Sequence, residues 1–472
     1  MGLFGRIPSK VGGVDVVDQL PNLGREAEML AIMGLSSMDD LFSDIPEDVR
    51  RTSPLDLPLP QTEEEIWKDA TRLLGANIPI NSRPSFIGGG LYANHVPAMV
   101  PMMATRGEFL TSYTPYQPEV SQGMLQAMWE FQTMVSELVG LPVSNVSMYD
   151  ASTAAAEAIT TAVRVVNRKV EQKDTVYISE LIPEHRLSVI ENYTQGGGII
   201  LKKLAHNEDG HLNLESLKEA AGSCAIYVEQ PNAFGIADEG IAQAKSIIGE
   251  NTALIVGVNA VSLGLMEAPG NYGADIVVGE GQPFGIGPTA GGPIYGIFAC
   301  KENFIRQMPG RIVGLSHDSD GQRAFTLTLS TREQHIRRHK ATSNICSNET
   351  LIALMGAMHM ALLGPAGLEK LAIRNSAAMM KTKEGVSSIE GVSLAHPNSS
   401  HFNEFVIRLP NSAKSLCDFL DQRGISPGIP IDILFPNMDD NLILVTCTDQ
   451  TSESDVKLLT AGIKAWVQGA SQ

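Results

Sequence analysis

Residues 274–300 read ADIVVGEGQPFGIGPTAGGPIYGIFAC, and this stretch decides the fold class of the chain. Two short runs, ADIVVG and PIYGIFA, flank a loop that is rich in glycine and proline. The runs are apolar at nearly every position, which is typical of strands buried on both faces of a sheet. Loops at the ends of such strands are where α/β sheets hold ligands, often phosphates. No Walker lysine follows the loop, which argues against an NTPase.

The rest of the chain extends this pattern in both directions. The apolar runs TVYIS, IILKKL, CAIYVEQ and TALIVGVNA come before it, with helical patterns between several of them. Alternating strands and helices predict a mostly parallel or mixed sheet with helices on both faces. Beyond residue 400, FNEFVIRL and NLILVTCT predict strands, and SESDVKLLTAGIKAWVQ predicts a terminal helix. The expected fold class is therefore α/β, with a small C-terminal α+β domain.

Composition excludes several classes of protein. The chain has 472 residues, 43% of them hydrophobic, so it can bury a large core. Its net charge of −18 opposes binding to nucleic acid. Five widely spaced cysteines without a CxxC pair suit a reducing cytosol. No long apolar run or signal peptide is recognised, so we expect a soluble, cytoplasmic protein without a membrane span.

Three domains are expected from the changes in composition. Residues 1–75 are predicted to hold an N-terminal extension, a proline-rich linker and a helix capped by Thr62. Residues 76–330 are predicted to form the large domain. Residues 331–472 are predicted to form a helical connection and the small C-terminal domain.

The long turn-rich segment 81–119 is the first candidate binding region, because loops of this length are usually functional. Within it, FIGGGLYANHVP has three glycines that allow close backbone approach, and the prolines of SYTPYQPE stiffen the chain around polar side chains. A tight turn and an ordinary surface loop are the alternatives. The segment ends at Ser121, the expected N-cap of a methionine-rich core helix. The candidate side chains are Asn94, His95, Ser112, Tyr113, Tyr116, Gln117 and Glu119.

His335 and His339 are four residues apart in the helical pattern TREQHIRRHKATSN, a spacing that can place two ligands on one metal ion. The glutamate of a metalloprotease motif is absent between them. Arg332, Arg337 and Arg338 would also oppose a cation. We therefore expect a solvated or anion-facing basic surface here and no metal site.

Several long motifs together resemble the P-protein family of the glycine cleavage system. They occur in order from about residue 26 to the end: FIGGGLYANHVP, TSYTPYQPEVSQG, LQAMWEFQTMVSELVGLP, YDASTAAAEA, GADIVVGEGQPFG, GGPIYG and TREQHIRRHKATSNICSN. The chain is most similar to the alpha chain, subunit 1, of the two-subunit form. This resemblance implies the aspartate-aminotransferase-like, type I pyridoxal-phosphate fold.

The resemblance also implies a reaction and partners. Glycine is decarboxylated on pyridoxal phosphate, the remaining aminomethyl group passes to the lipoyl arm of the H-protein, and carbon dioxide leaves. The alpha chain is expected to pair with a homologous beta chain, as an alpha2beta2 assembly, with the active site at their interface.

The lysines indicate that this chain does not hold the cofactor itself. Type I chemistry needs a Schiff-base lysine after a sheet strand, where the catalytic half of the family has His-Lys-Thr-Phe. Here Gln282 stands at about that position, and the nearest lysines are Lys245 and Lys301. The preceding strand, TALIVGVNAVS, lacks the carboxylate that should face the pyridine nitrogen. We expect no catalytic residue in this chain alone, and the cofactor to be held covalently by the beta partner.

The resemblance suggests that this chain lends residues across the interface. The candidate side chains of segment 81–119 are expected to be lent in this way, with tyrosine hydroxyls and an amide holding the glycine carboxylate or the phosphate. Gly291 and Gly292 are expected to approach the phosphate through their backbone N–H groups. Two alternatives remain open: a self-sufficient enzyme that uses Lys301 or Lys340, and a non-catalytic scaffold or regulatory paralogue.

Overall fold

The computed structural model describes residues 10–11, 14–15, 22, 24–51, 53, 55–167, 174–289, 291–346 and 349–470. Most of the weakly patterned lead of the chain lies outside these residues. The contacts divide the chain into two units, Met1–Asn77 and Ile78–Gln472.

The first unit consists of short elements. In chain order they are β1 (Lys10–Val11), β2 (Val14–Asp15), α1 (Glu26–Ile32) and α2 (Glu63–Leu74). Thr62 caps α2, as the sequence predicts. Its hydroxyl accepts the Glu65 N–H at 3.3 Å, and the Glu65 carboxylate accepts the Thr62 N–H at 2.7 Å. This capping box satisfies N–H groups that have no partner inside the helix.

The second unit contains the remaining elements. Its helices are α3 (Met99–Ala104), α4 (Gly107–Leu110), α5 (Gln122–Val139), α6 (Ala151–Val166), α7 (Glu184–Gln195), α8 (Leu214–Glu219), α9 (Ile241–Ile248), α10 (Gln334–Arg337), α11 (Thr350–Ser387), α12 (Ala413–Asp421), α13 (Ile431–Leu434) and α14 (Glu453–Ala470). Its strands are β3 (Val143–Ser144), β4 (Thr175–Ser179), β5 (Ile200–Leu204), β6 (Ala225–Gln230), β7 (Ala253–Asn259), β8 (Ile276–Glu280), β9 (Gly296–Cys300), β10 (Ile312–His317), β11 (Arg323–Thr328), β12 (Ser393–Leu394), β13 (Glu404–Arg408), β14 (Ile429–Pro430) and β15 (Leu442–Thr446).

A mixed sheet forms the centre of this unit, and it confirms the predicted fold class. Among the described residues it has seven strands, in the order β3-β9-β8-β7-β6-β4-β5. The five strands from β8 to β5 in this order are parallel. Strand β9 pairs antiparallel with β8, and the edge strand β3 pairs antiparallel with β9. A hairpin of β10 and β11 lies outside this sheet.

Both faces of the sheet are buried, which is why its strands are apolar at nearly every position. In β7, Leu254 packs on one face together with Phe131 of α5. The next residue, Ile255, packs on the other face together with Ile159 of α6. Successive side chains of a strand point to opposite faces, so a sheet covered by helices on both sides needs an unbroken apolar run.

The small C-terminal sheet is antiparallel, with strand order β12-β13-β15-β14. The long helix α11 joins its core to the core of the large sheet. Ala353 in the first half of α11 belongs to the core of the large sheet, and Met379 in the second half belongs to the core of the small sheet. Between them the helix breaks at Gly364, which has φ 59° and precedes Pro365.

One helix departs from the expectation that no apolar stretch is long enough to span a membrane. Among the described helices, α11 is long and apolar enough to span a bilayer by length and composition. Its residues also supply parts of two protein cores. Core helices of globular proteins commonly combine these properties.

Three local expectations are wrong. Ser121 stands before α5, but its φ of −126° and ψ of 19° leave its hydroxyl without a capping bond. Segment 81–119 is not free of helices, because burial of Val100 and Ala104 on one face stabilises α3. The pattern at TREQHIRRHKATSN yields only one turn of α-helix, because Arg338 takes φ 55°. His335 and His339 therefore do not share a helical face.

Candidate functional site

A small cavity lies at the carboxyl ends of the central strands. Glu229 of β6, Asn259 of β7 and Glu280 of β8 line it. Open α/β sheets bind ligands at this edge. The cavity has a volume of about 50 Å³. Pockets for ligands of drug or cofactor size measure about 300–1,000 Å³, so this cavity has room only for water or a small ion.

Gln282, at the expected position of the Schiff-base lysine, is fully buried and bonded within the protein. Its Oε1 accepts the Tyr92 N–H at 2.9 Å. Its Nε2 donates to the carbonyls of Tyr92 at 3.0 Å and of Ile286 at 2.6 Å. The side chain thus ties the glycine-rich segment to the loop after β8. Its role in this structure is to join two loops.

Glu280 places a carboxyl group at the N-terminus of α6. Its carboxylate accepts the N–H of Ala151, the first residue of that helix, and of Gln282, both at 3.1 Å. Helix N-termini favour phosphates and carboxylates because their N–H groups and dipole point at the ligand. Burial nevertheless raises the pKa of Glu280 to about 8. An external phosphate would have to displace this carboxylate.

A second buried carboxylate, Glu229, is held by a guanidinium and a phenol. Arg186 makes an ion pair with it, and the Tyr227 hydroxyl donates to it at 2.7 Å. Burial and the neighbouring Glu229 charge raise the pKa of Tyr227. These contacts satisfy groups that would be costly to bury alone, and they fill one wall of the cavity.

The glycine run approaches protein side chains closely. The Gly89 N–H, the Tyr92 hydroxyl and the Thr446 hydroxyl each donate to the Glu404 carboxylate at 2.8 Å. A Cβ atom on Gly88 would collide with Thr446 and Glu404. The glycine run therefore allows close packing against the small sheet.

Asn94 and His95 lie in a different network. Asn94 is buried, and its Nδ2 donates to Asp449 at 3.0 Å and to Asn375 at 3.3 Å. The His95 N–H donates to the same Asp449 carboxylate at 3.2 Å, and its ring is exposed. These bonds attach the loop to α11 and to the segment after β15. Among the described residues, no hydrogen bond joins this network to the segment SYTPYQPE.

Tyr116 is the centre of a cluster on the surface, which we call the Tyr116 cluster: Tyr116, Arg311, Glu333 and His335. Nη2 of Arg311 donates to the Tyr116 hydroxyl at 3.0 Å, and its guanidinium lies 5.3 Å from the ring centroid. The His335 ring meets the Tyr116 ring edge-on at 5.5 Å between centroids. Glu333 accepts from Nε of Arg311 at 3.4 Å. The cluster fixes a half-exposed phenol in one orientation.

Within the described residues, no hydrogen bond links the other predicted site residues to the Tyr116 cluster. Tyr113 is 78% exposed, and its ring offers a large area for contact. Gly291 and Gly292 have φ of 96° and 123° and lie outside the lining of the cavity. Ser112 is half-buried, and the exposed residues are Gln117 and Glu119.

Sequence reasoning missed Arg311, Glu280 and Glu404. Arg311 lies in the run MPGRIVG, which carries no motif. The two glutamates had a usable signal, since each is an acid next to apolar strand residues, in IVVGE and NEFVIRL. A carboxylate in a buried strand needs partners, so such an acid indicates a buried polar network.

The two sheets, the long connecting helix and the ligand edge define a type I pyridoxal-phosphate fold. A cysteine desulfurase from Thermococcus onnurineus NA1 shares this fold, with a TM-score of 0.60 at 17% identity over 88% of this chain and all of that chain. At that identity the likeness concerns the fold alone.

The chain belongs to the glycine cleavage system P-protein family, whose profile matches residues 21–462. A probable glycine dehydrogenase (decarboxylating) subunit 1 of Xanthobacter autotrophicus is 46% identical, over 93% of this chain and 97% of its own length. A subunit 1 of Thermococcus onnurineus is 42% identical, over 94% and 98%. A crystal structure of an inhibitor-bound glycine decarboxylase (P-protein) has a TM-score of 0.83 at 38% identity, covering 94% of this chain and 99% of that chain.

Pyridoxal phosphate does not fit the cavity of this chain. The residues that line the cavity include no lysine, and the space is about 50 Å³. Lys245 and Lys301 both bind Asp275 at 2.7 Å, which engages them in the packing of the sheet. Glu280 already occupies the helix N-terminus. The residues at this sheet edge therefore do not fit the family's cofactor.

Proposed function

We propose that this chain is subunit 1 of a glycine cleavage P-protein and is inactive without a beta partner. With that partner it decarboxylates glycine, transfers the aminomethyl group to the lipoyl arm of the H-protein, and releases carbon dioxide. The observation that carries the proposal is a small cavity without a lining lysine, with Gln282 at the lysine position, in a chain of this family. The identity of 46% to a subunit 1 supports it.

The cofactor of the proposed complex is pyridoxal phosphate held by the beta partner. The lack of room and of a lining lysine in this chain supports that assignment. Its chemistry, the stabilisation of a carbanion, would then be supplied from the partner's side of the interface. This chain contributes groups that bind and orient the substrate.

Tyr116 is the best supported of the lent side chains. Nη2 of Arg311 donates a hydrogen bond to the Tyr116 hydroxyl at 3.0 Å, and Tyr116 remains 50% exposed. A phenol fixed in this way can bind a carboxylate or phosphate oxygen without losing much conformational freedom. The further lent side chains in the proposal are His95, Ser112, Tyr113, Gln117 and Glu119, with Asn94 as a support and Gly291 and Gly292 as backbone donors.

The proposed assembly is alpha2beta2 in the cytoplasm. The same segment that carries Tyr113 and Tyr116 exposes Met99, Met102 and Leu110 by 48%, 59% and 55%. Large apolar side chains grouped on a surface commonly mark an interface with another protein. A partner that covers them would place the lent side chains at a shared site.

Reconstitution tests the proposal. The purified chain, incubated with pyridoxal phosphate, should lack the near-visible absorbance of bound cofactor and should not exchange bicarbonate into glycine. Adding the beta partner should produce both signals. A yellow, active preparation of this chain alone would overturn the proposal, and borohydride trapping would then identify its lysine. Full activity of the beta partner alone would instead support the scaffold alternative.

A further inference from the structure

A second, larger pocket lies between α6, α7 and the segment 334–344. Its volume is about 440 Å³, against about 50 Å³ for the cavity at the sheet edge. Its lining consists mainly of guanidinium, hydroxyl and amide groups, with one carboxylate. The residues that matter for its chemistry are Glu157, Thr160, Arg164, Tyr193, Arg338 and Ser343.

The charges of this pocket favour an anion. Arg164 and Arg338 line it, and the carboxylate that opposes them is Glu157. Both oxygens of Glu157 are engaged, one by the Ser343 hydroxyl at 2.5 Å and the other by Arg164 at 3.7 Å. Burial also raises the pKa of Glu157, which weakens its opposition to an anion. The positive charge of Arg338 is left without a compensating acid in the lining.

Arg338 has two unusual properties. Its φ of 55° and ψ of −126° lie in a region that costs energy for any residue with a Cβ atom. Within the described part of the chain, its guanidinium makes no hydrogen bond or ion pair. A strained residue with an unused fork of donors at the edge of a polar pocket indicates a role in binding.

We propose that this pocket binds a small free oxyanion, a phosphate or carboxylate group, between Arg338 and Arg164. Guanidinium groups match both kinds of group through paired N–H donors, and the hydroxyl of Tyr193 in the lining can add a further contact. The site lies outside the cavity at the sheet edge and outside the Tyr116 cluster. It does not depend on the proposed function, because binding is measured on this chain directly.

Calorimetric titration of the full chain with inorganic phosphate, and separately with oxalate, tests the site. Saturable binding of at least one of them is expected, and the pair distinguishes a phosphate site from a carboxylate site. Arg338→Gln should weaken binding about tenfold or more, the loss expected for a charge-assisted pair. Arg337→Gln is the matched control, because its Nε donates to the Thr331 carbonyl and it lies outside the pocket.

A variant that is expected to tighten anion binding distinguishes loss of the site from misfolding of the chain. Glu157→Gln removes the opposing charge and keeps an acceptor for Ser343, so it should tighten binding severalfold. The titrations are repeated with the complex of this chain and its beta partner, where the same affinity is expected. Absence of saturable binding by both anions, equal losses in R337Q and R338Q, or loss of binding in the complex would each overturn the proposal.

Discussion

Glu280 is a carboxylic acid held where a helix N-terminus would accept a phosphate, and burial raises its pKa to about 8. Between pH 4.5, the ordinary pKa, and about pH 8, folding therefore favours the protonated, neutral form of Glu280. Glu280 therefore fills space in the cavity and also occupies an N–H group at the helix N-terminus. It also makes the stability of the subunit depend on pH.

We predict the sign of that dependence from the raised pKa. The folded chain binds the Glu280 proton more tightly than the unfolded chain, so this stabilisation is full below pH 4.5 and is lost as pH rises toward 8. Between these values the wild type should lose up to about 1.4 kcal/mol of unfolding free energy per pH unit relative to Glu280→Gln.

Urea denaturation at about pH 5.5 and pH 7.5 measures this difference. The control is Glu219→Gln, an exposed acid at the end of α8, which should keep the wild-type pH dependence. Parallel behaviour of the wild type and E280Q would show that Glu280 does not hold a proton in the folded state.

The Tyr116 hydroxyl gives a second prediction at the residue scale. Tyr116→Phe keeps the ring and its contact with His335 but removes the acceptor for Arg311. In the reconstituted complex, glycine turnover should fall about tenfold, which corresponds to about 1.4 kcal/mol of transition-state binding. The free energy of unfolding should change by no more than about 1.5 kcal/mol, because the phenol is half-exposed.

Two further variants separate binding from structure. Arg311→Lys keeps the charge but loses the guanidinium fork, so we expect a higher KM for glycine with a smaller change in kcat. Tyr272→Phe alters a phenol outside the Tyr116 cluster and should leave both parameters unchanged. Unchanged turnover in Y116F would remove Tyr116 from the proposed shared site.

At the scale of elements, the break in α11 decides how one helix serves two cores. Gly364 takes φ 59° with open space around its Cα atom, whereas Gly123 in the first turn of α5 has equally open space and a helical backbone. Gly364→Ala should therefore destabilise the chain by about 1 kcal/mol, because a Cβ atom is strained at positive φ. Gly123→Ala should stabilise it by up to about 1 kcal/mol.

Denaturant midpoints of the two variants, with unchanged slopes, measure these opposite effects. The pair is matched in added volume and differs in backbone conformation. Changes of the same sign would mean that the break at Gly364 is not a fixed feature of the folded helix.

At the scale of the whole molecule, the exposed apolar side chains of residues 99–120 suggest which surface the beta partner covers. Hydrogen exchange of these backbone amides should slow when the partner is added, since an interface excludes water from them. The amides of α8, on a different surface, should exchange at the same rate in both states. Sedimentation should give the mass of two alpha and two beta chains. A complex that leaves residues 99–120 unprotected would contradict this location of the interface.

Much of the fold follows from local patterns. Strands β4 to β9 of the large sheet, the capped helix α2 and the terminal helix were predictable because backbone period and burial on two faces leave a direct trace in residue order. The pattern around His335 failed because a single residue, Arg338, adopts positive φ, which nothing in its identity signals. The separation of the candidate side chains of segment 81–119 into the network around Asn94 and the Tyr116 cluster was not predictable.

The sequence by itself determined the fold class, the family and the absence of a lysine at position 282, because each depends on residue identity along a local stretch. Only the tertiary structure decided that the cavity is small and that Tyr116 is held by Arg311. Glu404 meets Tyr92 across 312 positions of the chain, and Arg311 meets Tyr116 across 195. Contacts over such separations depend on how the sheets and loops pack, and a local pattern does not encode that packing.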